Sequence, residues 1–374
     1  MTRCPLLAGF VLALAWTAGC GAGDGPIRIG VAGPFSEPRG VSMRQAAELA
    51  AREINARGGI GGRTLELVFA DDSGKDAVAV RVAEALVADP SVVAVVGHLT
   101  SAATAATIGV YGSGDAPVAV ISPSASDPDL TGVSPYFFRV CPTDQSHGPR
   151  LAQWARQALR ARTAGVIYVN DDYGRGVRRA FAADFSRLGG TVLEEDPTLP
   201  ATPTVEPYLA RMQQRGGLDV LLLATEVGLA ERALGEMARL GLAWPVIGGD
   251  ALVGIERSGA LAEGIRVSAA YLPDGGGARN EAFVDAYGRA FRGQRPDHRG
   301  AGAYDIVGLL ALALRDAGPD RRAVRDYLAG VGTEHPPFEG VTGSIAFDER
   351  GDVAARTAVI GVVRSGRLVI EAAP

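Results

Sequence analysis

The chain is predicted to be an α/β protein of two doubly wound parallel-sheet lobes joined by three crossover segments. Two observations predict it. Short apolar, β-branched runs such as Val92–Val96 and Asp219–Ala224 alternate with amphipathic stretches, the pattern of parallel strands covered by helices. The alternation occurs in two successive series of similar plan, with no short tandem repeat.

The first 26 residues precede that pattern. Arg3 and the apolar run Leu6–Trp16 read as an export signal over residues 1–19, too short for a membrane span. The sequence Thr17-Ala18-Gly19-Cys20 resembles a lipobox, which would leave Cys20 as an acylated N-terminus; ordinary cleavage without lipid is the alternative. Residues 20–26 then form a glycine-rich tether.

The first series runs in order from Ile27. Ile27–Gly33 is a strand, and Gly40–Ala56 is a helix with Ala46, Leu49, Ala50 and Ile54 on one face. Leu65, Leu67 and Phe69 alternate along the strand Thr64–Asp71. Asp89-Pro90 stops the helix Ala77–Ala88. Strands Val92–Val96 and Pro117–Ile121 follow, each ending in small and hydroxyl residues. The second series has strands Thr163–Val169, Thr191–Glu195, Asp219–Ala224 and Pro245–Gly248, with helices Arg150–Ala161, Arg175–Leu188, Tyr208–Arg215 and Ala230–Leu240. Ile265–Tyr271 is a crossing strand; helices Glu281–Arg292, Gly302–Ala317 and Arg322–Ala329 and strands Gly343–Phe347, Thr357–Val363 and Leu368–Glu371 complete the chain. Crossings are expected near Tyr136–Gly148, at Ile265–Tyr271 and at Glu334–Gly340. These divide the chain into a first lobe, 27–140 plus 270–335, and a second, 141–269 plus 336–374.

Composition narrows the function. A net charge of −5, with no basic run interleaved with aromatics, argues against nucleic-acid binding. Lys75 is the single lysine. Cys141 stands alone in the mature chain and reads as a buried, inert thiol. His98, His147, His298 and His335 show no metal-ligand spacing; His98, after a buried strand, is expected to satisfy a backbone partner. No nucleophile elbow, P-loop or dinucleotide fingerprint is present, and neither cofactor nor metal is expected.

In open α/β sheets, ligands bind beyond the carboxyl ends of the strands. Here those ends carry Thr100, Ser101 and Ser126 in the first series, and Asp171, Asp172, Tyr173, Glu226 and Asp250 in the second. Hydroxyls and helix N-terminal amides suit a carboxylate, and acidic side chains suit an ammonium. A ligand bearing both groups, an α-amino acid, would bridge two such lobes.

The stretches "GHLTSAATAA", "VISPSASDPDLT" and "YFFRVCPTDQSHG" resemble the leucine/isoleucine/valine-binding protein family, and the resemblance runs from about Ile27 nearly to the C-terminus. It implies a type I periplasmic-binding-protein fold and an extracytoplasmic, non-enzymatic solute-binding protein. Such a protein is a monomer that serves an ABC permease and touches the membrane only through its lipid anchor. Carried over position by position, the family's carboxylate-binding hydroxyl falls on Ser101, with Thr100 before it. Its backbone and hydroxyl contacts fall on Ala125 and Ser126, its tyrosine on Tyr173 and its ammonium-binding acid on Asp250. Two positions depart from the pattern: the first-loop aromatic is missing, with Arg39 near its place, and Glu226 stands where a tyrosine is usual. Both lie where a ligand side chain would sit, so a polar or cationic side chain, or another small acid or amide, becomes as plausible as a branched aliphatic one. A sensory component of the same fold, or an enzyme using Asp171, Asp172 or Glu226 as acid and base, are the competing expectations.

Overall fold

The structure, a computed structural model, describes residues 25–353 and 356–371. The export signal, the acylation site Cys20 and most of the tether lie outside the described residues.

The first lobe is built from β1 (Ile27–Gly33), α1 (Pro38–Ala56), β2 (Leu65–Asp71), α2 (Asp76–Ala88), β3 (Val92–Val96), α3 (Ser101–Gly112), β4 (Ala119–Ser122) and β5 (Phe137–Arg139). Its sheet is wholly parallel, in the order β2-β1-β3-β4-β5. All five residues of β3 are buried, as its β-branched composition demands of a central strand covered on both faces. Proline in the first turn starts α1, and Gly40 lets that turn close: a Cβ there would meet Pro34 O at 2.2 Å.

The chain then crosses to the second lobe: α4 (Asp144–Gln157), β6 (Thr163–Val169), α5 (Asp172–Arg187), β7 (Thr191–Thr198), α6 (Glu206–Gln214), β8 (Val220–Ala224), α7 (Val227–Arg239), β9 (Val246–Gly248) and β10 (Arg266–Ala269). It returns to the first lobe for α8 (Ala278–Ala290), α9 (His298–Ala317), α10 (Arg321–Ala329) and the hairpin β11 (Phe338–Gly340) and β12 (Gly343–Ile345). It finishes on the second lobe with β13 (Val359–Arg364) and β14 (Arg367–Ile370), which pair antiparallel along the edge beside β10. The second sheet thus runs β14-β13-β10-β9-β8-β6-β7. Each lobe buries its own apolar layers: α1 and α9 pack on one face of the first sheet, and α4 and α5 on one face of the second.

Three expectations are corrected. The stretch Tyr136–Gly148 is not all crossing: Phe137–Arg139 pairs with β4 as an edge strand, and α4 begins at Asp144, six residues before Arg150. Pro149 sits inside the helix, and Gly148 lies against α5, where a Cβ would meet Ala180 Cβ at 2.5 Å. The third crossing also lies later than Glu334–Gly340, so residues 336–353 do not belong with the second lobe. Ile345, Phe347 and Val353 are buried in the first lobe's core, and Phe347 packs on Phe138 with ring centroids 5.1 Å apart. Asp305 of α9 holds the hairpin by accepting from the amides of Val341 (2.7 Å) and Thr342 (2.9 Å). The crossing therefore lies between Val353 and Val359.

Candidate functional site

The carboxyl ends of the two sheets face each other, and several contacts span the gap. The Asp144 amide donates to Ser126 O at 2.8 Å. His298 and Arg299, at the start of α9 on the first lobe, reach Asp250 on the second. His298 Nε2 lies 3.5 Å from Asp250 Oδ2, and Arg299 donates to the Asp250 carbonyl at 3.4 Å. Arg39 donates to Glu226, joining the first turn of α1 to the start of α7.

Each expected residue has a definite place. Thr100, not Ser101, is the N-cap of α3: its hydroxyl accepts from the Ala103 amide at 3.2 Å. Ser101 is buried and its hydroxyl accepts from the Asp127 amide at 3.2 Å, so it ties the two strand-end turns together. Ala125 is fully buried; its amide donates to Ser122 Oγ (2.9 Å) and its carbonyl accepts from Arg139 (3.2 Å), so both its backbone groups are engaged within the lobe. Ser126 is fully buried, and its hydroxyl has no hydrogen-bond partner within the protein. Tyr173 packs in the second lobe's core, where its hydroxyl accepts from the Ala251 amide at 3.1 Å, one residue from Asp250. Asp250 is buried and its Oδ1 is unpartnered. Glu226 is half-exposed and taken up by Arg39.

Three residues that the sequence did not single out complete the cluster. Asp144, the first residue of α4, is fully buried with both carboxylate oxygens unpartnered. Burial raises its pKa well above the carboxylate range and Asp250 adds to the shift, against the pull of the Ser126 hydroxyl and Arg139. His147, one turn later, donates or accepts at Ser268 Oγ (3.0 Å) and leaves Nε2 free. His298 is 3.2 Å from Ser124 Oγ through Nε2 and leaves Nδ1 free. Burial and then Arg299 hold its pKa down at about 4, against Asp250 and Asp297; burial likewise lowers His147. The one legible signal was the spacing Asp144…His147 on a single helical turn, hidden because that turn reads as loop.

The depressed His298 pKa has a measurable consequence. A histidine that resists protonation in the folded protein loses stability as pH falls from the ordinary imidazole value toward its own. Between about pH 6.5 and 4 this amounts to at most about 3 kcal/mol. His298→Gln is therefore expected to lose less melting temperature than the parent between pH 7 and 4.5. Asp144 and His147 are common to both proteins and cancel in the difference. Equal losses would show that His298 protonates freely.

The remaining candidates are engaged structurally. Asp171 caps α5 through the Gly174 amide at 2.8 Å, and burial, with Glu226 and Asp172 adding, raises its pKa to about 6. Asp172 pairs with Arg175. Cys141 is buried, and burial pushes its thiol up to about 12, as an inert core cysteine requires. His98 is satisfied by side chains and not by the expected backbone partner: Asp72 Oδ2 at 2.7 Å and Tyr111 OH at 3.0 Å.

The cleft thus gathers Ser126, Asp144, His147, Asp250 and His298, drawn from both lobes, shielded from water, each with a polar atom unpaired. A buried polar atom without a partner costs about 1–3 kcal/mol, and here six such atoms on five residues stand without one. The chain is 27% identical over 355 residues to Leu/Ile/Val-binding protein homolog 3 of Brucella melitensis, covering 92% of this chain and 93% of that one. It is 27% identical over 358 residues to the Leu/Ile/Val-binding protein of Escherichia coli, covering 93% of each. The branched-chain amino acid transporter substrate binding protein LivJ of Streptococcus pneumoniae, solved in complex with isoleucine, superimposes with a TM-score of 0.82 at 27% identity. That match covers 92% of this chain and 97% of the other. A family model described as periplasmic binding protein matches residues 26–367. With two parallel-sheet lobes, three crossings and a polar cleft between them, the chain belongs to the periplasmic binding protein family.

Proposed function

We propose that this protein captures a small amino-acid-like ligand in the cleft between its lobes and delivers it to an ABC permease, without chemical change to the ligand. The observation that carries this is the set of unpartnered buried polar atoms contributed by both lobes. Asp250 Oδ1 is the acceptor for the ligand ammonium. The start of α3 at Ser101, with its unpaired amides and partial positive charge, and the Ser126 hydroxyl receive the carboxylate. Asp144, whose pKa burial raises, stands beside them with both carboxyl oxygens open to a hydrogen bond. Binding on both faces shifts the lobes toward the closed arrangement, which is the form a permease would read. The Leu/Ile/Val-binding relatives and the isoleucine complex support an amino acid as the ligand class. The polar lining of His147 and His298 supports a polar side chain or one too small to reach them. Export, and acylation at Cys20, complete the reading, with the protein acting as a tethered monomer.

A thermal-shift screen against single amino acids, small amides and short-chain acids tests it. A ligand present at 100 times its dissociation constant is expected to add about 2.7 kcal/mol of stability. A response to leucine would place the Arg39–Glu226 pair outside the side-chain pocket. No response to any amino acid would sink the amino-acid reading.

A further inference from the structure

Arg39 and Glu226, the two positions read from the sequence as departures from the family resemblance, meet each other in the structure. Arg39 stands in the first turn of α1 on the first lobe, Glu226 at the N-cap of α7 on the second, and they form an ion pair across the cleft. We infer that Arg39 and Glu226 are a positioning pair that draws the lobes together, setting the closed population and hence ligand affinity, and not groups that hold the ligand themselves.

Three features of the contact support this. Arg39 is hemmed in from its own side: the Glu37 carboxylate lies 2.7 Å from its Nε as an ion pair without hydrogen-bond geometry, and a Cβ on Gly74 would meet its guanidinium at 2.6 Å. The arginine therefore loses little further freedom when Glu226 arrives. Glu226 makes no capping bond to its own helix, and its carboxylate reaches across the gap instead. The pair is also partly sheltered, at 20% and 37% side-chain exposure, whereas Arg179–Asp129, an arginine–carboxylate pair that also joins the lobes, is 53% and 73% exposed. An exposed pair contributes little, and a sheltered one with a pre-placed arginine contributes more. Arg39 and Glu226 are far apart in sequence and on opposite lobes, so the attraction acts only when the lobes close.

The inference rests on the cleft-closure reading but not on which ligand is bound, and its test separates the two. The protein and its Arg39→Gln, Glu226→Gln and double variants are measured by small-angle X-ray scattering. Each is measured without ligand and along a titration with an equimolar mixture of the twenty protein amino acids, at low salt and in 1 M NaCl. The expected result is a shift of the closed-to-open ratio, seen as a larger ligand-free radius or a higher half-saturating concentration. The shift is about twofold to fivefold for each single variant, no larger for the double variant, and is reproduced in the parent by salt. Identical behaviour of all four proteins would overturn the inference. So would an effect of Glu226→Gln without one of Arg39→Gln, which would mark Glu226 as a ligand contact. Absence of compaction by the mixture in every protein would count against the amino-acid ligand instead, leaving the ligand-free comparison to decide on the pair.

Discussion

Replacing Asp250 by asparagine is expected to weaken ligand binding about 30-fold or more, while leaving the ligand-free protein at least as stable as the parent. Both halves follow from its surroundings. Asp250 is buried, its Oδ1 has no partner, and its Oδ2 has only a distant His298 at 3.5 Å. The folded protein gains little from that carboxylate and bears the cost of desolvating it. A ligand ammonium entering beside it would form a charge-assisted hydrogen bond in a water-free site, and removing one partner of such a pair costs about 2–5 kcal/mol. Calorimetric titration of parent and variant with the best ligand, together with their ligand-free melting curves, checks both. An unchanged affinity would show that the ammonium is held elsewhere in the cleft. A large loss of ligand-free stability would show that Asp250 is a structural group.

Arg139→Met is expected to show the opposite balance: a loss of about 3–5 kcal/mol of stability, with weakened binding as a consequence. Arg139 is fully buried at the end of β5. It makes a two-pronged ion pair with Asp352, at 2.7 and 2.8 Å, donates to the carbonyls of Ala125 (3.2 Å) and Asp127 (2.7 Å), and bonds Thr131. One guanidinium thus fixes the turn that presents Ser126 to the cleft. Methionine keeps much of the volume but leaves Asp352 as a buried, uncompensated charge. Denaturant unfolding of Arg139→Met and Arg139→Met/Asp352→Leu separates the effects. The double variant should recover stability because no lone charge remains, yet still bind weakly because the turn has lost its anchor. Recovery of binding as well would show that the turn does not need Arg139.

The sequence made most strands legible because their burial is written in composition: a run such as Val92–Val96 has no polar face and must be covered twice. Helix starts were less legible. The first turn of α4 carries Asp144, Gln145, Ser146, Gly148 and Pro149, all common in loops, and only packing against α5 makes it helical. The hairpin at Phe338–Ile345 was misassigned because its lobe is decided by where Phe347 and Val353 pack, a long-range matter. At the site, Asp250, Ser126 and Tyr173 could be read because strand ends face the cleft. Asp144, His147 and His298 could not, since their distinction is being buried with an atom unpaired, which no local pattern records. Arg39 and Glu226 were visible as anomalies, but their union depends on two lobes meeting.

The Arg139–Asp352 pair also has a mechanical meaning. Arg139 closes the first lobe just before the first crossing, and Asp352 just before the third. A single bolt therefore fastens two of the three straps at their roots. When the lobes swing, the bolt keeps the twist from travelling back into the turn around Ser126. The first lobe keeps the same half of the cradle through the whole stroke. A ligand can land on that rigid half while the protein is open, and the second lobe then folds over it, so arrival and enclosure become two separately tunable events.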